Sequence, residues 1–419
     1  MLYFCDLSEI AFYMYYNRYT LSNGLRIIHK SNTSKVTYCG FAINAGTRDE
    51  GEDESGLAHF VEHLIFKGTQ KRKAWHILNR MENVGGDLNA FTNKEETLIY
   101  SSFLNAHFAR AVELLVDIVF HSTFPQQEID KEVDVVLDEI QSYKDTPSDL
   151  IYDDFENMFY DEHPLGRYIL GDANTLASIQ SIDARRYTSN YYQPENMVFF
   201  VLGGIEFKKV IAVLQKYFED IPNRAVRLNR QIPTEYVARQ LVKEKETNQA
   251  HVIIGAPSYP LFSTKRVGLA LLNNVLGGPG MNSRLNLELR ERRGYVYNVE
   301  SNVMTFTDSG IFSIYFGTDF KNRDKCISLT LKELNKMRNV RMSTLQLTRA
   351  KNQLMGQLGV AEDNNESCAL GMGRTFLHLD EYKSLIQIYE EIEKLQPDYL
   401  LDIANEVFAE DKLSILCYE

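Results

Sequence analysis

Residues 56–69 (GLAHFVEHLIFKGT) hold the side chains best placed to do chemistry. Read as a helix, Leu57, Phe60, Val61 and Leu64 fall at i, i+3, i+4 and i+7 and make one apolar face. His59, Glu62 and His63 then share the opposite face. Two imidazoles one helical turn apart can grip a single metal ion between them. Glu62, one residue before the second imidazole, is placed to take a proton from a water on that ion rather than to ligate it. The bland alternative is a solvated helix face that happens to carry two histidines.

A catalytic zinc ion wants three protein ligands and an open position, so a third His, Asp or Glu should come from another element. The segment EIDKEVDVVLDEIQSYKD is helical in pattern, with Ile129, Val133, Val136, Leu137 and Ile140 on one face. Glu132 and Glu139, seven apart, stack on one edge of that face, whereas Asp138 points well away from it. A carboxylate beside a buried face is costly unless something neutralises it. Glu139 is therefore taken as the third ligand, and Glu132 as the group that orients a ligating imidazole. Taken alone, this pattern is better explained by an ordinary amphipathic helix with flanking acids.

The elements that must position these residues follow from periodicity. RYTL, the turn Ser22-Asn23-Gly24 and LRIIH read as a hairpin, and VTYCGFAINAG as a buried strand. Helices are predicted near 55–67, 71–84, 104–121 and 128–144, with the strands NAFTN and TLIYSSF between the second and third. The order recurs after position 200: the strand HVIIGAP, helices near 264–276 and 282–293, strands YNVESNVM and GIFSIYFGT, and helices near 321–337 and 343–360. Gly86 aligns with Gly294 and Asn89 with Tyr297 at a constant offset, which predicts two α+β domains of one design. The expected division is a tail or upstream extension at 1–13, a first domain at 14–221, a polar linker at 222–240 and a second domain at 241–419.

Composition narrows the class. A formal net charge of -12 argues against nucleic-acid partners, which need a basic face. Cys5, Cys39, Cys326, Cys368 and Cys417 are scattered and odd in number, which argues against a disulfide framework or a thiolate metal site. No apolar run reaches membrane-span length, and the N-terminal residues lack a basic region before their apolar stretch. A cytoplasmic location with no membrane partner is the expectation.

Taken together, His59-x-x-Glu62-His63, NGLRII, NAGTRDE, HPLGRYILG (163–171), YYQPENMVFFVLGGI (191–205) and LGGPGMNSRLNLELRERRGYVYNVES (276–301) resemble the pitrilysin/insulinase zinc metallopeptidases. The match is nearest to the short two-domain form typified by the mitochondrial processing peptidase β subunit and its bacterial relatives. The family's third ligand is a glutamate some 75 residues past the motif, which falls on Glu139, with its paired acid on Glu132. The resemblance implies an α+β fold: two domains, each a mainly antiparallel sheet packed with helices, forming half of a clamshell chamber. It implies one zinc ion per chain, held by His59, His63 and Glu139, with Glu62 as general base in hydrolysis of a peptide. It places Arg290 and Tyr297 in substrate binding and in stabilising the tetrahedral intermediate, and Asn89 and Ala90 on the substrate backbone. It also implies a homodimer in which Arg290 and Tyr297 reach the zinc site of the other chain, some relatives instead pairing an active with an inactive subunit. The alternative within the family is a non-catalytic, chamber-forming subunit.

Overall fold

The computed structural model describes residues 16–233 and 236–419, so Cys5 and the expected tail at 1–13 lie outside them. Eleven strands form two sheets among the described residues. They are β1 (Tyr16–Thr20), β2 (Arg26–Ser31), β3 (Val36–Ile43), β4 (Asp87–Thr92), β5 (Thr97–Leu104), β6 (Met197–Gly203), β7 (Gln240–Lys243), β8 (Ala250–Pro257), β9 (Val296–Thr305), β10 (Gly310–Thr318) and β11 (Ser414–Tyr418). The first sheet runs β1-β2-β6-β3-β5-β4 and the second β7-β11-β8-β10-β9. Without β1 the two orders are the same, strand for strand. In each of these five-strand orders the first neighbour pair is parallel (β2–β6, β7–β11) and the rest antiparallel. The repeat seen in the sequence is thus a repeat of topology.

The predicted helices of the first half are α1 (Leu57–Leu64), α2 (Ala74–Glu82), α3 (Phe108–Phe120) and α4 (Gln126–Lys144), followed by α5 (Pro147–Tyr160). In the first sheet every residue of β6 is buried, as expected for a strand covered on both faces. One face packs an edge-to-face aromatic group in which Phe41 meets Phe199 at 4.9 Å and Phe120 of α3 at 5.8 Å. The opposite face is covered by the helix Asn365–Leu379 from the far end of the chain, whose Ala369, Met372 and Phe376 pack with Ile28, Val198 and Phe200. Gly373 makes this possible: a Cβ there would lie 2.5 Å from the Phe200 ring. The second sheet shows the reciprocal arrangement. Helices Arg266–Gly277, Arg323–Asn339 and Pro397–Val407 cover one face, and α5 lays Ile151, Phe155 and Met158 on the other.

This exchange corrects the division expected from sequence. A cut at 222–240 gives each repeat helices for one face of its sheet only, and a sheet of continuous apolar strands needs both faces covered. The chain packs instead as one compact unit of residues up to Glu139, Tyr168–Arg230 and Ala361–Ser384, and a second of Ile140–Arg167, Gln231–Val360 and Leu385–Glu419. A smaller correction concerns the paired glycines. The left-handed pair is Gly85 (φ 71) and Gly294 (φ 62), not Gly86 and Gly294. The helix predicted at 282–293 is a π-helical segment, Asn286–Glu291, in which Arg292 N–H bonds the Leu287 carbonyl. Its wider turn takes up one extra residue and shifts the local alignment by one. Among the described residues Cys39, Cys326, Cys368 and Cys417 are free, and no helix is long and apolar enough to cross a membrane.

Candidate metal centre and active site

α1 is short and buried. Leu57, Phe60, Val61 and Leu64 are fully enclosed, and this anchoring turns His59, Glu62 and His63 toward α4. Its first turn starts from Gly56, which has a left-handed φ of 87 and packs directly on Gly171, itself at φ 74. A Cβ on Gly171 would lie 2.5 Å from Gly56 Cα and 2.5 Å from the Ser55 carbonyl oxygen. That contact accounts for the glycine closing HPLGRYILG. Gly171→Ala is expected to cost about 1–3 kcal/mol through backbone strain alone, read as a lower urea midpoint of the chain.

α4 supplies the facing carboxylates. Glu139 Oε2 lies 3.6 Å from His63 Nε2, and Glu139 Oε1 lies 3.9 Å from His59 Nε2. Donor atoms of the three residues all fall within 4.8 Å of one another, the only such group of three or more His, Cys, Asp or Glu among the described residues. Ligands 2.0–2.1 Å from one zinc ion at a tetrahedral angle sit about 3.4 Å apart, so the group, spread over up to 4.8 Å, closes into a binding triad by side-chain movements of about 1 Å. Glu139 is exposed and His59 buried, so the group opens to solvent on the carboxylate side.

The surrounding charges suit ligation. Burial, with the neighbouring His63, pushes the His59 imidazole down to about 4, so it is neutral and able to donate a lone pair at pH 7. Glu132, nearly enclosed, hydrogen-bonds His63 Nδ1 at 3.0 Å through one oxygen and Lys67 Nζ at 2.6 Å through the other. Burial alone would raise this carboxyl, but the bonds to His63 and Lys67 hold it below its ordinary value. An ionised Glu132 puts the ring proton on Nδ1 and leaves Nε2 of His63 free to ligate. Glu62 is raised, chiefly by burial, while the bond donated by Thr92 Oγ1 at 2.6 Å and the nearby His63 pull the other way.

Thr92 closes β4, the edge strand of the first sheet, and β4 packs beside α1. Asn89, exposed, and Ala90, half-buried, lie on the same strand. Sequence reasoning missed Thr92 and Lys67, yet both had a readable signal: Thr92 shares a strand face with Ala90, and Lys67 follows His63 by one helical turn. His163 caps a short turn by accepting the Leu165 N–H, and its other nitrogen meets the Gln231 carbonyl at 2.9 Å. Arg290 and Tyr297 lie in the second unit, where the guanidinium sits 5.8 Å from the ring centre and Tyr297 is 89% exposed on the edge strand β9.

Comparison with known proteins gives the family. Residues 26–173 match the model described as insulinase (peptidase family M16), and residues 178–354 match the peptidase M16 inactive domain. The uncharacterized zinc protease YmxG of Bacillus subtilis is 35% identical over 94% of this chain and 96% of its own length. This chain belongs to peptidase family M16. An uncharacterized zinc protease of Rickettsia felis is 30% identical over 94% of the chain and 95% of its own length. The M16 fold is also that of two solved structures. A peptidase M16 inactive domain from Pseudomonas fluorescens superposes with a TM-score of 0.90 at 18% identity over 97% of this chain and 98% of its own. A protease from Helicobacter pylori gives 0.87 at 22% identity over 97% and 99%. Within the M16 chain the two family models divide the candidate residues. The insulinase model spans His59, Glu62, His63, Glu132 and Glu139, and the inactive-domain model spans Arg290 and Tyr297.

Proposed function

We propose that this M16 chain is a zinc metalloendopeptidase that holds one zinc ion on His59, His63 and Glu139 and hydrolyses peptides or unfolded segments. The observation that carries the reading is the convergence of those three donor atoms within 4.8 Å, with the half-buried carboxylate of Glu62 on the same helix held by Thr92. Bound there, zinc supplies a Lewis acid and brings the pKa of water toward neutrality. Glu62 takes a proton from the attacking water and passes it to the leaving nitrogen, and its raised pKa makes it the stronger base. Thr92 holds one Glu62 oxygen, which fixes the direction of the other. Glu132 and Lys67 keep His63 in the ligating tautomer.

The peptide binds extended, as an added strand on the open edge of β4 at Asn89 and Ala90. Arg290 and Tyr297 bind it from the second unit of a partner chain, in a homodimer with two shared sites. The exposure of Tyr297 in the single chain favours this arrangement, since most of the ring is open to a partner.

Three experiments test the proposal. Purified protein should hold one zinc per chain and cleave a quenched peptide, and bound zinc with no cleavage across a broad peptide library would favour a non-catalytic subunit. Glu132→Gln should weaken zinc binding about 10- to 100-fold in a chelator competition. For the shared site, a mixture of Glu62→Gln and Tyr297→Phe proteins should regain activity above either parent, and no recovery would place each site within one chain.

A further inference from the structure

We propose that Glu50 is a positioning residue for Glu62, fixing the start of α1 so that the general base meets its strand-borne partner in register. The inference rests on the peptidase reading above and extends it to a residue outside the metal group.

The opening turn of a helix leaves backbone N–H groups without intrahelical partners. In α1 these groups are enclosed, because Leu57, Ala58, His59 and Phe60 are all buried, and Gly56 at the N-cap has no side chain to serve them. Glu50, six residues upstream and only 5% exposed, does so. Its Oε2 accepts the Gly56 N–H at 3.1 Å and its Oε1 the Ala58 N–H at 2.8 Å. A carboxylate receiving two N–H groups at the positive end of a helix is held by charge-assisted bonds and by the helix dipole together. Such an anchor sets both the axial position and the rotation of a helix only eight residues long, and Glu62 lies one turn beyond it.

The same loop grips the other side of Glu62. Thr47 N–H bonds the Asn93 carbonyl at 3.2 Å and Arg48 N–H the Lys94 carbonyl at 2.8 Å. The buried Arg48 guanidinium meets Glu95 at 2.6 Å. These acceptors form the turn between β4 and β5, immediately after Thr92, which donates to Glu62. Four consecutive residues, 47–50, therefore tie the helix that carries Glu62 and the strand end that holds it to one backbone segment.

The test compares zinc-loaded, folded Glu50→Gln and Glu50→Ala proteins with wild type. Gln offers one acceptor and turns a donor toward the second N–H, whereas Ala offers none. The expected kcat loss is about 10- to 100-fold for Gln and larger for Ala, with KM and zinc content within about twofold of wild type. Placed in the Glu62→Gln background, Glu50→Gln should cost less than about twofold more, because the group it orients is already gone. Paired with Thr92→Val, its effect should be smaller than the product of the two single losses. A kcat within twofold of wild type, or an undiminished loss in the Glu62→Gln background, overturns the inference while leaving the peptidase reading intact. If wild type cleaves nothing, the peptidase reading falls and this role for Glu50 falls with it. Amide exchange at Gly56 and Ala58 is read regardless of activity. It should quicken at least about tenfold in Glu50→Ala, and unchanged exchange overturns the inference by itself.

Discussion

Glu62→Gln protein is expected to keep its fold and its zinc and to cleave a quenched peptide about 10²- to 10⁴-fold more slowly than wild type. The substitution is nearly isosteric, and the amide oxygen still accepts the Thr92 hydroxyl, so the 2.6 Å contact that holds the side chain survives. Neither His59, His63 nor Glu139 loses a partner needed to bring their donor atoms together. What disappears is the capacity to accept a proton, which burial enhances in the wild-type carboxyl. Because that capacity acts only as the bond breaks, the loss should fall on kcat, with KM little changed. Activity within tenfold of wild type, at equal zinc content, would remove Glu62 from the mechanism. Loss of zinc along with activity would instead mean that Glu62 belongs to the ligand set.

How much of this was legible beforehand depends on the range of the interaction. The face of α1, the spacing of Glu132 and Glu139 on α4, and the hairpin at Ser22-Asn23-Gly24 are local patterns, and each lies where periodicity put it. The recurrence of elements was legible too, because the sheets share one strand order. The exchange of covering helices was not, since nothing in α5 or in Asn365–Leu379 says which sheet it will lie on. Both are amphipathic, and only the shape of the opposing surface, such as the hollow left by Gly373 over Phe200, selects the partner. The π-helical turn before Gly294 was invisible for a similar reason: residue types suit an α-helix there, and the extra residue is accommodated by packing. Within the site, the two imidazoles came from helical spacing and Glu139 needed the family resemblance beside it, whereas Thr92, Lys67 and Glu50 act across elements that sequence places 30, 65 and 8 residues from the groups they bond.

Glu96→Gln is expected to lower stability at pH 7 by about 3 kcal/mol and to flatten its dependence on acid. Glu96 sits in the turn between β4 and β5 with its carboxylate 7% exposed. It accepts from Arg374 at 2.6 Å, from His378 Nε2 at 3.0 Å and from Asn93 at 2.9 Å. Burial would raise this carboxyl, but the His378 and Arg374 charges and the three bonds outweigh it and bring the value down to about 2. A folded pKa below the ordinary 4.5 means that the unfolded chain binds the proton more readily. The stabilisation is therefore complete above about pH 4.5 and is lost as the pH falls from there toward 2. The drop of some 2.5 pH units corresponds to about 3 kcal/mol, a large share of the total stability of a domain. Urea midpoints of wild type and Glu96→Gln should thus differ most at neutral pH and converge as acid is added, and parallel curves would show that Glu96 is not the titrating anchor. The consequence reaches the site, because the turn that carries Glu96 also carries Asn93 and Glu95, the partners of loop 47–50, and directly follows Thr92. Arg374 and His378 belong to the helix Asn365–Leu379, so a segment from the far end of the chain supports the strand end that holds Glu62. Loss of the Glu96 anchor should therefore loosen that helix first, with amide exchange rising across Asn365–Leu379 before the central strands β3 and β6 open.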